Sequence, residues 1–479
     1  MAPLTVLAEH SLCDSIRART LLVNTCVMSL YLHDLNLLGH LEIMERFMLM
    51  KDGQFVMKLG EALFLDETGF LNRSAQAAYE AENATSDSKS ERRSSMTSSA
   101  SGGSGASTWR NVQLKWPPRS GELEMTLRAV LLECFHSTLS NTDFVSSGTN
   151  SPDVFDVSEM DVQEEAVERE ASPRRTMRRE VDAQELEESL AFAVKEYDDQ
   201  SKICRDANAL DALDFLYLDY KAPRPLRLLL FTPAVFEKYT RLFTFQLRLT
   251  RVDAALKQAA YLVNAELQVM HRLRFEAQQI LDGFRGYITD VAMGSTWHKF
   301  MDRLKALQVR LEDRILSSNS NGGDSMSDYG DDIEQDDQEL ENLADLHRYH
   351  DHVLNRMLLQ SLLKPKQAPV LSIVHGILNC ILKWSHIVNR LPEADATLLR
   401  DPIRVLEQRV VKMQKLQTKF RTLCRMLIKV LTALIERGID LDAPDGDSRC
   451  AQSTDRSSTE TEFLQQLLLR LDMSRFNSP

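Results

Sequence analysis

Glycine and proline are scarce, at 18 and 14 of 479 residues. Both interrupt helices, so their scarcity favours a helical chain over a turn-rich β architecture. The seven cysteines contain no Cys-x-x-Cys pair. That excludes the usual zinc and disulfide spacings and points to reduced thiols in an intracellular protein. No apolar run reaches the ~18–20 residues needed to span a bilayer. Glu9, His10, Asp14 and Arg17 break the N-terminus before a signal-peptide core can form. The net charge of −13 argues against nucleic acid as the main partner, although much of the acid lies in inserts. The Ser/Gly-rich stretch ending in SGGSGAS has no preceding strand and no Gly-Lys-Ser/Thr, so it is not a phosphate loop. With no paired nucleophile and base and no metal spacing, the expectation is a non-enzyme without a cofactor.

What remains is helix. The central stretch runs from Leu226 to Leu256. Leu228–Phe231 reads as extended, Thr232 as an N-cap and Pro233 as the first helical residue. Phe236, Tyr239, Phe243 and Leu247 recur at three- and four-residue steps and form the expected buried face. Phe245 and Leu249 widen that face, and Arg241, Arg248 and Arg251 mark a wetter side. Upstream, two helices are expected within 15–71, with a break at Asp52-Gly53 and a further helix through Phe55 and Leu63. A helix over 122–139 follows, and a short extended segment over 213–220. Downstream helices are expected at 266–289, 296–316, 346–363, 370–388, 403–436 and 462–476.

Ser/Gly-rich and acidic stretches separate these helices. Disordered inserts are expected at about 80–110, 317–341 and 438–460, with an acidic linker over 141–210, because none offers an apolar face to dock. Fast amide exchange is expected there. Arg92-Arg93-Ser94-Ser95 and Ser172-Pro173 are compatible with kinase sites or with plain solvated linker.

Two side-chain groups could carry function. His347, His350, Asp351 and His352 resemble metal ligands. On a helix His347 and His350 share a face, while His352 points about 140° away from His347. The 403–436 helix bears a basic strip: Arg409, Lys412, Lys415 and Lys419, extended by Arg404, Arg421, Arg425 and Lys429. Such a strip is either a solvated face around a packed helix or a surface for an acidic partner, a membrane or calmodulin. Trp384 reads as core.

The segment LFTPAVFEKYTRLFTFQLRLTRV, with Tyr239, Phe243, Phe245 and Leu247 in a Tyr-x-x-x-Phe-x-Phe-x-Leu pattern, resembles the start of the C-terminal grip domain of γ-tubulin complex proteins. Pro225-Leu226 suits that pattern, although Arg224 stands where the family often has Trp. The wording FTPAVFEKY looks closest to the fourth component type. The closing LLLRLDMSRF, Leu467–Phe476, resembles the family's terminal motif, with Met473-Ser474 in place of Phe-Asn. Leu49–Leu59 partly resembles a segment late in the N-terminal grip domain, most of which would then be missing. The resemblance implies an all-α fold of helical bundles, with 1–140 a partial N-terminal grip-like region and 211–479 the C-terminal grip domain. It further implies binding to γ-tubulin, assembly with sister components, microtubule nucleation, and a place in the cytoplasm at microtubule-organising centres and spindle poles. Neither nucleic acid nor a membrane span is expected. On this reading Arg409, Lys412, Lys415 and Lys419 are the residues placed at the γ-tubulin interface. A helical adaptor or tether unrelated to tubulin is the alternative.

Overall fold

The computed structural model describes residues 13–64, 123–135, 189–194, 208–262, 268–319, 340, 342–389, 402–437 and 454–472. In chain order the helices are α1 (Asp14–Ser29), α2 (Leu37–Ile43), α3 (Gly53–Phe64) and α4 (residues 123–135). Then come strands β1 (Leu190–Val194) and β2 (Leu216–Tyr220). They are followed by α5 (Arg224–Leu229), α6 (Pro233–Leu262), α7 (Gln268–Gly286), α8 (Thr296–Asn319), α9 (Leu343–Gln360) and α10 (Ala368–Asn389). The last two are α11 (Pro402–Arg437) and α12 (Thr454–Asp472). Wider π-helical turns continue α1 over Leu30–Asp34, α2 over Met44–Met48 and α7 over Tyr287–Ser295. The fold is therefore mostly helical, with one two-stranded antiparallel ladder pairing Leu190 with Tyr220 and Phe192 with Leu218.

Helix boundaries follow local chemistry. Asn36, at φ 45°, starts α2 and accepts a hydrogen bond from the Gly39 N–H. Asp52 caps α3 by accepting from the backbone N–H groups of Gln54 and Phe55 at 2.9 and 3.2 Å. Arg46 holds that carboxylate from the other side, at 2.8 Å. Its guanidinium and the two backbone bonds outweigh burial and lower the Asp52 pKa. Asn342 caps α9 by accepting from Asp345 N–H at 2.9 Å.

The central helix is α6. Tyr239, Phe243, Leu247, Phe245 and Leu249 are all buried, whereas Phe236 is half-buried, in ring contact with Phe231 and Tyr220. The wetter side is narrower than expected. Arg241 is exposed, but Arg248 is half-buried on Asp214, and Arg251 is buried with its guanidinium donating to the Ala209 carbonyl. Helices pack against α6 from several directions: α3, α7, α9 and α10 all touch it. Ring contacts run from Phe47 to Phe55 at 5.0 Å, to Phe192 at 6.3 Å and to Phe243 at 6.5 Å. Gln246 of α6 donates to the Leu49 carbonyl at 2.7 Å. The early helices and the later ones thus share one core.

At the other end of the chain, α12 lies on α7. Leu467 and Leu471 are buried, and Arg470 reaches Asp290 at 3.0 Å. Gly283 makes the close approach possible, since a Cβ there would meet the Arg470 carbonyl oxygen at 3.1 Å.

Several expectations are corrected. The extended reading of 228–231 is replaced by the end of α5, because Leu226 and Leu230, four residues apart, turn one apolar edge inward and Pro225 sits in the first turn. Within the expected linker 141–210, Leu190-Ala-Phe-Ala-Val forms β1, with Leu190 and Phe192 buried. Their alternation is short and flanked by acid, which hid it. Helix α8 continues to Asn319, and α12 begins at Thr454, inside the expected 438–460 insert. Ser/Thr/Asp-rich sequence starts helices as readily as it forms linkers. The remainder of the expected inserts, including 80–110, lies outside the described residues. One stretch, Leu343–Val388, is long and apolar enough to cross a membrane by composition, yet 50% of its most apolar window is buried inside the protein. A 3₁₀ turn at Pro365–Gln367 interrupts it. It is a pair of core helices.

Candidate binding surface

The histidine group of α9 resolves into separate environments. His350 is buried, its Nε2 2.8 Å from the Tyr239 hydroxyl and its ring stacked on Phe300 at 5.5 Å. Burial lowers its pKa to about 3, helped by His347 and Lys238 and opposed by Asp351 and a backbone bond to Leu230. Two partners thus fix a neutral imidazole, with Leu230 accepting from one ring nitrogen and Tyr239 donating to the other. His347 is half-buried, His352 is exposed and Asp351 pairs with Lys238. Among the described residues no three metal-ligating side chains converge. His350 is a packing and registry residue that locks α9 to α6. Trp384 is fully buried within α10.

The basic strip lies on α11, which packs along α10. Met413, Phe420, Cys424, Leu427 and Leu431 face inward. Gly376 of α10 lets the helices close, since a Cβ there would lie 3.3 Å from the Leu423 side chain. On the outside, Lys412, Lys415 and Lys419 are exposed, and Arg409 is half-exposed. Their spacing of three and four residues puts them on one helix face. Arg425 and Lys429 continue the exposed surface, whereas Arg421 leaves it. Its guanidinium grips the buried Glu276 of α7 through two bonds, one of 2.9 Å. That hydrogen bond, more than burial, sets the sign of its shift and raises the Arg421 pKa.

Lys383, which no sequence signal pointed to, joins the strip from α10. Burial raises the Cys380 thiol, and the charges of both Lys419 and Lys383 pull it back, so the two ammonium groups lie within electrostatic reach of one cysteine. Lys383 is exposed. Only the register of α10 against α11 brings it there. Four lysines from two helices therefore present cations to solvent on a rigid apolar base, a geometry that suits an acidic protein surface.

A family model described as the C-terminal domain of gamma tubulin complex components matches residues 37–476. The chain belongs to the gamma tubulin complex component family. Two curated relatives are "Gamma-tubulin complex component 6" of mouse and of human, each 25% identical over 242 and 245 residues respectively. The alignments cover 48% of this chain and only 12% and 11% of those proteins. The chain thus spans a small part of the relatives' length. The likeness of residues 231–239 to the fourth component type is local, while these relatives are of the sixth. The match to this C-terminal-domain model begins at residue 37 and so takes in 37–140, with the segment Leu49–Leu59, as well. The two segments that resemble the family in sequence, the α6 face and Leu467–Leu471 of α12, are both core elements.

Proposed function

We propose that the chain is a γ-tubulin-binding component of a γ-tubulin ring complex, acting as a scaffold for microtubule nucleation. The observation that carries this is the family match from residue 37 to residue 476, continuous over the shared helical core. The binding region is assigned to 211–479 and rests on the helices of 37–64. The role is binding, not catalysis. Several copies or sisters holding γ-tubulins at fixed spacing would make later contacts nearly intramolecular, which raises avidity without new bonds. A rigid core matters here because a soft scaffold would lose that effective concentration. The site of action is then cytoplasmic, at microtubule-organising centres and spindle poles.

At residue level, Arg409, Lys412, Lys415 and Lys419, with Lys383, form the γ-tubulin-facing strip. Cations on such a surface speed encounter with an acidic partner and add salt-sensitive contacts. The test is co-sedimentation of the full chain with γ-tubulin. Absence of binding by the folded chain would remove the function. Reversing Lys412, Lys415 and Lys419 to Glu should weaken binding at low salt while leaving the melting midpoint unchanged. Unaltered affinity would remove the strip from the interface.

A further inference from the structure

Two of the wide helical turns border one small cavity inside the protein. The turn over Met44–Met48 closes where the Leu49 N–H donates to the Met44 carbonyl, five residues back, at 3.0 Å. The turn over Tyr287–Ser295 stands within one long helical run, between α7 and α8. Glu45 and Leu49 line the cavity from the first turn, with Lys51 just beyond it. Thr289, Met293 and Gly294 line it from the second, with Trp297 at the start of α8. Glycine fits position 294 because a Cβ there would lie 2.6 Å from the Thr289 carbonyl oxygen. Gln246 of α6 ties the two turns together, donating to the Leu49 carbonyl at 2.7 Å and reaching the Met293 sulfur at 3.3 Å.

The cavity has a volume of about 10 Å³, close to the smallest that holds one water. Its lining carries an unmet hydrogen bond. Trp297 is only 1% exposed, and its Nε1–H is buried without an acceptor. Buried donors in folded proteins nearly always have a partner, because desolvation without one is costly. Rings crowd the indole on other sides: Phe300 lies 5.3 Å away, Tyr239 6.2 Å and His350 6.5 Å. The Tyr239 hydroxyl is already engaged with His350. From the other segment Glu45 brings a carboxylate to the same cavity. Lys51 takes one of its oxygens, and a carboxylate has about four acceptor positions, so a second donor can be received. Burial raises the Tyr239 pKa and the Glu45 charge raises it further, so that carboxylate lies within electrostatic reach of the same ring cluster.

We propose that this cavity is a binding site for one water molecule, which accepts from the Trp297 Nε1–H and donates to the Glu45 carboxylate. Water suits both ends because it accepts and donates at once. An anion would meet the carboxylate, and a cation has nothing to accept the indole proton. The volume excludes a larger molecule. The bridge joins the Met44–Met48 turn to the base of α8, beside the link that Gln246 makes between the same two turns. It adds a polar tie between the early helices and the later ones at a place where two wide turns meet imperfectly. The site shares no element with the α11 strip, so its test is independent of γ-tubulin binding.

The experiment is NMR on the full chain, deuterated and carrying 15N-labelled indoles, with Trp297→Phe assigning the signal by its loss. The Trp297 Nε1–H should show an Overhauser cross-peak to water with the sign of a long-lived bound molecule. Glu45→Gln keeps an acceptor oxygen and should keep that cross-peak. Glu45→Leu removes the acceptor and fills the space, and should abolish it while the other indole signals stay in place. Thr289→Val removes the one hydroxyl in the lining, which could relay exchange, and should leave the cross-peak intact. A urea melt precedes each spectrum, and Glu45→Met takes the place of Glu45→Leu if the latter does not fold. No cross-peak in the wild type, one that survives Glu45→Leu, or one lost in Thr289→Val overturns the proposal. So does a Trp297 N–H shifted far downfield without contact to water, which would put a protein acceptor at the indole.

Discussion

The buried imidazole of His350 makes the chain's stability depend on pH in a defined direction. Its pKa is about 3 in the folded protein, against ~6.5 for a histidine in an unfolded chain. Between these values the unfolded state binds a proton that the folded state refuses. Stability from this group is therefore complete above the unfolded pKa and is lost progressively as the pH falls from ~6.5 towards 3. Moving from pH 7 to pH 5 protonates nearly all unfolded His350 and almost none of the folded, which costs about 2 kcal/mol. The first measurement is a histidine side-chain NMR titration, in which the His350 resonances should not move down to about pH 4. The second is urea unfolding at both pH values for the wild type and for His350→Gln. The variant starts less stable, because Tyr239 loses its partner, but its midpoint should fall less on acidification. An imidazole that titrates near pH 6.5, or an equal acid shift in both proteins, would refute the buried neutral histidine.

Three further outcomes follow from the packing. Phe243→Ala removes a fully buried ring from the contact with Phe192 and should destabilise the protein by about 3–5 kcal/mol in denaturant melts; an unmoved midpoint would mean that the α6 face is wrongly assigned. Arg421→Ala strands the Glu276 carboxylate, which is only 5% exposed, and should cost about 2 kcal/mol, less than a fully buried pair because the arginine is partly in water. If Glu276→Gln does not recover part of that loss in the double variant, the pair is not the cause. Gly283→Leu forces a side chain onto the α12 backbone, so limited proteolysis should release the C-terminal helix earlier than in the wild type.

Helical periodicity was strong enough in the sequence to place α6, α10 and α11 close to their ends, because long amphipathic runs without Gly or Pro have few alternatives. The Tyr239, Phe243 and Leu247 face and the break at Asp52 were legible for the same local reasons. What the sequence could not rank was burial among polar groups. Arg251, Arg248 and Arg421 look like any solvated cations until Ala209, Asp214 and Glu276 arrive from distant parts of the chain. His350 resembled a metal ligand until Tyr239 closed on it from another helix. Strand β1 exists because β2 supplies its hydrogen bonds; five residues of weak alternation do not declare a strand alone. Lys383 and Lys419 act on one buried cysteine only because α10 packs on α11. Local pattern thus determined which segments are helical and which faces are apolar. Tertiary structure decided which charges are spent inside the core, since that depends on contacts between residues 34 to 145 positions apart.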